Sequence, residues 1–229
     1  SLKYAIDIFH SIEKHSFDSV NNGYCEALTR HWEDIEDMRL SEKDVNERKT
    51  MNTHLHILEA YTNLYRVWKD ETLKKQLRNL ILIFLNKIID EQTHHLGLFF
   101  DDEWHKKGDI DSYGHDIETS WLLHEAALVL DDEVVLNRVE EESLLIADAA
   151  REGVRNDGGM IYEKDNLKKV IDDEYHWWVQ AEAVVGYVNI YQYLGDEEAL
   201  SVALNSWSFI KENLIDKEHG EWYWSVMND

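Results

Sequence analysis

Four times along this 229-residue chain a polar turn carrying glycine is followed by aromatic or apolar residues, and that internal repeat limits the possible folds more than any other feature. The segments are Phe17–Tyr24, His94–Phe100, Asn156–Tyr162 and Lys217–Trp224. Their glycines, Gly23, Gly97, Gly159 and Gly220, stand 74, 62 and 61 residues apart. That exceeds the roughly 33–34 residues of an ankyrin or tetratricopeptide unit. Each interval has room for two helices and long loops.

The two helices of a unit differ in character. The one before each turn is amphipathic: Leu77, Leu80, Ile81, Phe84, Leu85, Ile88 and Ile89 recur on one face, with Lys, Arg and Asn opposite. The one after each turn is apolar nearly all round, as in Trp121–Leu130 and Trp178–Val188, and belongs inside. Half-wet helices alternating with buried ones predict two concentric layers, an all-α toroid with an inner and an outer ring of helices and short β-hairpins at the glycine turns. About three and a half units are present, and no Pro/Gly/Ser-rich linker divides them. The expectation is one domain over residues 1–229, a toroid truncated at both ends.

Charge narrows the partners. With 23 Lys and Arg against 47 Asp and Glu, the formal net charge is −24, a field that repels phosphate backbones and anionic lipid, so no nucleic acid and no membrane is expected. Proline is absent, and 44% of residues are apolar, too many for a solvated acidic chain. The single Cys25 cannot form an intrachain disulfide, and neither an ~18-residue apolar run nor a signal-peptide pattern is present. These features predict a cytoplasmic protein, and the lack of a further apolar stripe a monomer.

Polar residues in a buried helix must be satisfied or used, and three of the buried helices open with a cluster. Asn52, His56 and Glu59 fall at i, i+4, i+7; His115 and Glu118 at i, i+3; Trp178 and Glu182 at i, i+4. An imidazole one turn from a carboxylate suits general acid or base work near neutral pH. Trp177 and Trp178 offer a flat platform, with Glu182 below to accept hydrogen bonds from hydroxyls, a combination that sugar rings need. The same Trp pair could serve core packing alone. A lone histidine at the end of a buried helix is ordinarily a satisfied core or capping residue, and His10, His15, His31, His105, His124, His176 and His219 are read so, His176 least firmly because it borders the Trp pair. His54 and His56 face different sides of a helix and His94–His95 sits in a turn, so no metal site is expected. Nucleophile elbow, phosphate loop and dinucleotide fingerprint are all missing from the sequence, and no cofactor is expected.

Three long segments carry a resemblance: Met51–Leu64 (MNTHLHILEAYTNL), Ser112–Leu123 (SYGHDIETSWLL) and Trp177–Ala183 (WWVQAEA). In order and spacing they resemble the N-acylglucosamine 2-epimerase superfamily, most closely its cellobiose 2-epimerase branch. The resemblance implies a barrel of six helix pairs and cofactor-free inversion at C2 of a reducing-end sugar, typically glucose in a β-1,4 disaccharide. One base removes the C2 proton, a cis-enediolate forms, and an acid on the other face returns a proton. By the same pattern His115, held by Glu118, is one of that pair. His56 assists ring opening or the enediolate oxygens with Asn52, Trp178 stacks on the sugar, Glu182 and Asp44 bind hydroxyls, and Trp177 shapes the pocket. The family's second histidine and a stacking Trp fall beyond Asp229, and an Arg and a Tyr before Ser1, so the isolated chain is expected to be inactive. The alternatives are an aldose–ketose isomerase sharing the enediolate, a toroidal hydrolase using Glu118 and Glu182, and a non-catalytic sugar-binding protein.

Overall fold

A computed structural model describes residues 1–42 and 44–227. The described residues form seven α-helices: α1 (Leu2–His15), α2 (Met51–Val67), α3 (Glu71–Ile83), α4 (Tyr113–Leu130), α5 (Glu133–Arg151), α6 (Trp177–Leu194) and α7 (Glu197–Phe209). The strands are short: β1 (Lys49–Thr50), β2 (Phe99–Phe100), β3 (Lys106–Lys107), β4 (Ile110–Ser112), β5 (Glu163–Asp165), β6 (Val170–Asp172), β7 (Tyr175–His176) and β8 (Ser225–Val226). The helices α2, α4 and α6 each begin directly after a strand, β1, β4 and β7. Helices α3 and α7 start at Asp70 and Asp196, whose carboxylates accept the free N–H groups of the first turn, and both end in a single π-turn, Phe84–Ile88 and Ile210–Leu214.

The chain divides into two compact units. The first comprises Ser1–Ile89, Gly97–Asp109 and Glu125–Asp132. Its core is built from Leu55 and Leu58 of α2 with Leu73, Leu77, Leu80 and Ile81 of α3, all fully buried. Strands β1, β2 and β3 form an antiparallel sheet, with Lys49 opposite Phe100 and Phe99 opposite Lys107. Two charges, the buried Lys49 and the half-buried Glu13, are well engaged here. Lys49 donates to Asp18 (2.8 Å) and to the carbonyl of Asp102 beside the Trp104 ring. Burial would raise the Asp18 carboxyl, but the Lys49 ammonium and the N–H groups of Asn21 and Val20 outweigh it and hold it at about 2. Glu13 accepts from Tyr24, Tyr61 and Gln76 at 2.8, 2.7 and 2.6 Å.

The second unit comprises Asp90–Leu96, Ile110–His124 and Glu133–Asp229. Ile117, Val179, Ala183, Tyr187 and Ile190 lie at its centre with no exposed surface. Gly186 permits the closeness of α6 to α4, because a Cβ there would stand 2.5 Å from the Ile117 side chain. Strands β4, β5 and β6 pair antiparallel, as do β7 and β8.

The expected layering is clear for α4, which is buried on most sides, and for α3, α5 and α7, which bury one face; α2 and α6, expected inside, keep open positions such as Val67, Val185 and Tyr193. The expected hairpins at the glycine turns reduce to single antiparallel bridges, Phe17–Tyr24, Val154–Met160 and Ile215–Trp222, and most strand pairing lies just ahead of the buried helices. The glycines are not strictly equivalent. Matching the bridges puts Tyr24, Leu96, Met160 and Trp222 at one place in the repeat, so Gly97 follows that place while Gly23 and Gly159 precede it.

Candidate functional site

The common start of α2, α4 and α6 gives a frame for comparing them. Counting from the residue before each helix, Thr50, Ser112 or His176, the second position holds Asn52, Gly114 or Trp178, the fourth His54, Asp116 or Gln180, and the sixth His56, Glu118 or Glu182. Candidate site residues therefore fall at the second and sixth positions of α2 and α6 and at the third and sixth of α4, where a buried glycine takes the second place, and they lie on the stripe of each helix that remains open to solvent. On α4 that stripe runs His115, Glu118, Trp121 and Glu125, all half-buried between fully buried neighbours.

The fourth position does the opposite job. His54, Asp116 and Gln180 are all completely buried, and each accepts a hydrogen bond from the backbone N–H of the preceding turn: Tyr24 to His54 Nε2 (2.9 Å), Leu96 to Asp116 Oδ1 (3.1 Å) and Met160 to Gln180 Oε1 (2.8 Å). Each turn is thereby fastened to the buried helix that follows it, and the N–H it would otherwise bury unpaired is satisfied.

In the first unit, His56 Nδ1 lies 3.5 Å from Glu59 Oε2, and both side chains are about half exposed. Asn52 is half-buried one turn before His56. Glu26 braces this helix start by accepting from the hydroxyls of Thr50 and Thr53. Asp44 is half-buried and accepts from the Ser41 N–H (2.8 Å), which closes a local turn. His54 takes no part in the open stripe. Burial drives its imidazole down to about 4, against the opposing effect of its bond to the Thr50 carbonyl. It is neutral, with the proton on Nδ1 facing that carbonyl at 2.6 Å and the Nε2 lone pair facing Tyr24 N–H.

The second unit holds the denser cluster. His115 Nδ1 is 2.8 Å from Ser112 Oγ, and its ring leans on Trp178, with centroids 4.9 Å apart and planes inclined by 51°. Gly114 makes that approach possible, since a Cβ there would stand 2.7 Å from the Trp178 ring. Glu182 Oε2 accepts from Trp121 Nε1 at 2.8 Å, which ties the open stripes of α4 and α6 together. Behind Trp178 stands Tyr162, edge-on at 6.2 Å, with His176 stacked flat on it at 4.1 Å and bonded to Glu174 at 3.2 Å. Trp177 is 39% exposed and lines a groove of about 350 Å³ with Ala181, Glu221, Trp222 and Trp224.

His115, Trp178, Glu118 and Glu182 are thus gathered on α4 and α6 as the sequence spacing predicts, and His56, Glu59 and Asn52 share the open side of α2. Ser112, Tyr162 and the Asp116 staple escaped sequence reading. Ser112 could have been found as the residue one turn before His115. Asp116 has a second partner, His95 Nδ1 at 2.7 Å, in the turn ahead of Leu96. Burial alone would lower His95, but the Asp116 carboxylate outweighs it and raises the imidazole above its ordinary value, while burial raises Asp116 in turn. Among the described residues, no group of three or more His, Cys, Asp or Glu side chains is arranged to hold a metal ion, and no helix is long and apolar enough to cross a membrane.

Fold and site together place the chain in the class of (α/α)6-barrel proteins. It belongs to the N-acylglucosamine 2-epimerase (GlcNAc 2-epimerase) family, whose profile matches residues 11–229. It is 60% identical over 229 residues to the cellobiose 2-epimerase of Bacteroides fragilis, and 41% identical over 230 residues to that of Ruminococcus albus. In both cases the match takes in all of this chain and 58% of the relative, so the chain spans little more than half their length. The solved cellobiose 2-epimerase of Bacillus thermoamylovorans superimposes on the whole chain with a TM-score of 0.94 at 43% identity, over 58% of that structure. A D-mannose isomerase shares the fold, with a TM-score of 0.80 at 19% identity.

Proposed function

We propose that the polypeptide carrying these residues is a sugar 2-epimerase that inverts C2 of the reducing-end glucose of a β-1,4 disaccharide of the cellobiose kind, without a cofactor. The observation that carries the reading is the His115 environment, a half-buried imidazole with Nδ1 held by Ser112 and its ring set against Trp178, within a chain 60% identical to a cellobiose 2-epimerase. With Nδ1–H donating to Ser112 Oγ, Nε2 is the nitrogen that acts as the base. In the open-chain sugar the C1 carbonyl acidifies the C2 proton. Nε2 takes that proton, the C–H electron pair becomes the enediolate double bond, and the C1 oxygen carries the charge. Return of a proton to the opposite face of C2, from a second acid, completes the inversion.

In this reading Glu118 supports His115, Trp178 stacks on the sugar ring, Trp177 shapes its surroundings, and Glu182 and Asp44 accept hydrogen bonds from the sugar hydroxyls. His56, with Asn52 on the same helix, assists ring opening or steadies the enediolate oxygens. The protein acts as a soluble monomer in the cytoplasm, with a disaccharide or monosaccharide as its partner. Analysis of the sugars formed from cellobiose tests the reaction type. A mannose-type epimer is expected. A ketose would instead assign an isomerase that returns the proton to C1, glucose released by cleavage would assign a hydrolase, and binding with no product a sugar-binding protein.

A further inference from the structure

Among the three turn-fastening residues, two are neutral and one is ionic. His54 and Gln180 meet the turn with uncharged groups, whereas the equivalent residue of α4 is a carboxylate with no exposed surface, held by a histidine that is itself 7% exposed. A buried ion pair is a costly way to satisfy one backbone N–H, since desolvation offsets most of what the pair gains. Its place accounts for it. Asp116 directly follows His115, and its two oxygens are both committed, Oδ1 to Leu96 N–H at 3.1 Å and Oδ2 to His95 Nδ1 at 2.7 Å. His95 extends the brace outward, with its other nitrogen 3.7 Å from Glu152 and its ring edge-on to Tyr113, the first residue of α4. Tyr113 is in turn closed in by Gly153, where a Cβ would stand 2.4 Å from its ring. The first turn of α4 is therefore clamped from the turn before it and from the end of α5, while α6 has a single amide at the same point.

We propose that the buried Asp116–His95 pair is a positioning device for His115: it fixes the rotation of the first turn of α4, and so the aim of the His115 ring at the reacting carbon. The inference rests on the reading of His115 as the proton-transferring group. The pair touches no substrate and is not catalytic itself. A nitrogen displaced by ~1 Å from its line of approach can cost about a hundredfold in rate, so loosening this clamp acts on turnover. Loosening the equivalent clamp of α6, two residues from Trp178, acts on sugar binding.

The test compares Asp116→Ala with Asp116→Asn and with Gln180→Ala, each assayed in the native polypeptide for exchange of the C2 proton of cellobiose. Asp116→Ala is expected to lower kcat at least tenfold with KM within twofold. Asp116→Asn keeps an oxygen for Leu96 N–H and an amide for His95, and is expected within about threefold of the parent. Gln180→Ala is expected to raise KM while kcat changes less. Should Asp116→Ala not fold, His95→Asn and His95→Ala read the same clamp from its other side, the first restoring and the second lowering kcat. Folded Asp116→Ala and His95→Ala proteins with parental kcat, or with kcat and KM altered as in Gln180→Ala, overturn the inference. Exchange that survives His115→Asn would instead remove the reading beneath it, a result separable from the first.

Discussion

The starts of α2 and α4 solve one problem in two ways. Each buries a polar side chain four residues after the preceding strand and uses it to hold the N–H of a glycine turn, yet in α2 that side chain is a neutral histidine and in α4 an aspartate paired with a second histidine. The neighbouring open positions differ as well: α2 offers Asn52 and a half-exposed His56–Glu59 pair, whereas α4 offers His115 packed against Trp178. The repeat preserves the fastening and varies the chemistry around it. What is kept across units is hydrogen-bonding capacity at a buried point rather than a residue type.

That comparison breaks if the fastening is dispensable. His54→Leu leaves the Tyr24 N–H buried without an acceptor and removes the bond to the Thr50 carbonyl, so it should cost about 3–4 kcal/mol in urea unfolding. His54→Gln imports the solution of α6 and should recover more than half of that. A loss below about 1 kcal/mol for the leucine variant would show that water reaches this N–H.

The two histidines should also separate by pH. His54 is held at about 4 in the fold, below the ordinary 6.5 of the unfolded chain, so the unfolded state binds the extra proton between those values. Its contribution is complete above about pH 6.5 and is lost as pH falls toward 4, by about 3 kcal/mol in all. His95 runs the other way: its folded value is raised, so its contribution is complete below about 6.5 and is lost as pH rises through the raised value. Unfolding free energy followed from pH 4 to 9 should fall on both sides, and His54→Gln should flatten the acid side alone. Asp18, held at about 2, titrates below this window.

Glycine substitutions sharpen the contrast. Gly23 has φ +94° and a Cβ there would meet Trp104 at 2.5 Å and His54 at 2.8 Å, so Gly23→Ala should cost roughly 2 kcal/mol through strain and a disturbed fastening. Gly114→Ala should push on Trp178 and show mainly as weaker sugar binding by calorimetry. The smallest effect belongs to the exposed pair of α2: Glu59→Gln should change stability by less than about 0.5 kcal/mol, a null shift in thermal melting.

Helix layering was legible in the sequence only in part: Leu77, Leu80 and Ile81 face the core as their period predicts, and Val179, Ala183 and Tyr187 lie inside, but Val185 of the same all-apolar run is 45% exposed, because an apolar residue reports what it can pack against and not what it does pack against. The turns were harder to align. Glycine was the marker, but left-handed backbone is adopted by Asn22 and His94 as well as by Gly158 and Gly220, and Gly97 does not adopt it. The open stripes of α2, α4 and α6 could be read from i, i+3 and i+4 spacing. Asp116 and His95 could not be paired that way, because their contact joins residues 21 apart through a turn whose path the sequence does not specify. Ser112 lies in β4 outside the helical period, so its spacing of three from His115 was the one signal that marked it.

The central claim is that His115 moves the C2 proton, and proton NMR of cellobiose incubated in deuterium oxide with the native polypeptide and its His115→Asn variant tests it most directly. The account predicts loss of the C2 proton signal with appearance of an epimer in the parent, and a rate at least a hundredfold lower in the variant with the sugar still bound. Equal exchange in both would contradict it.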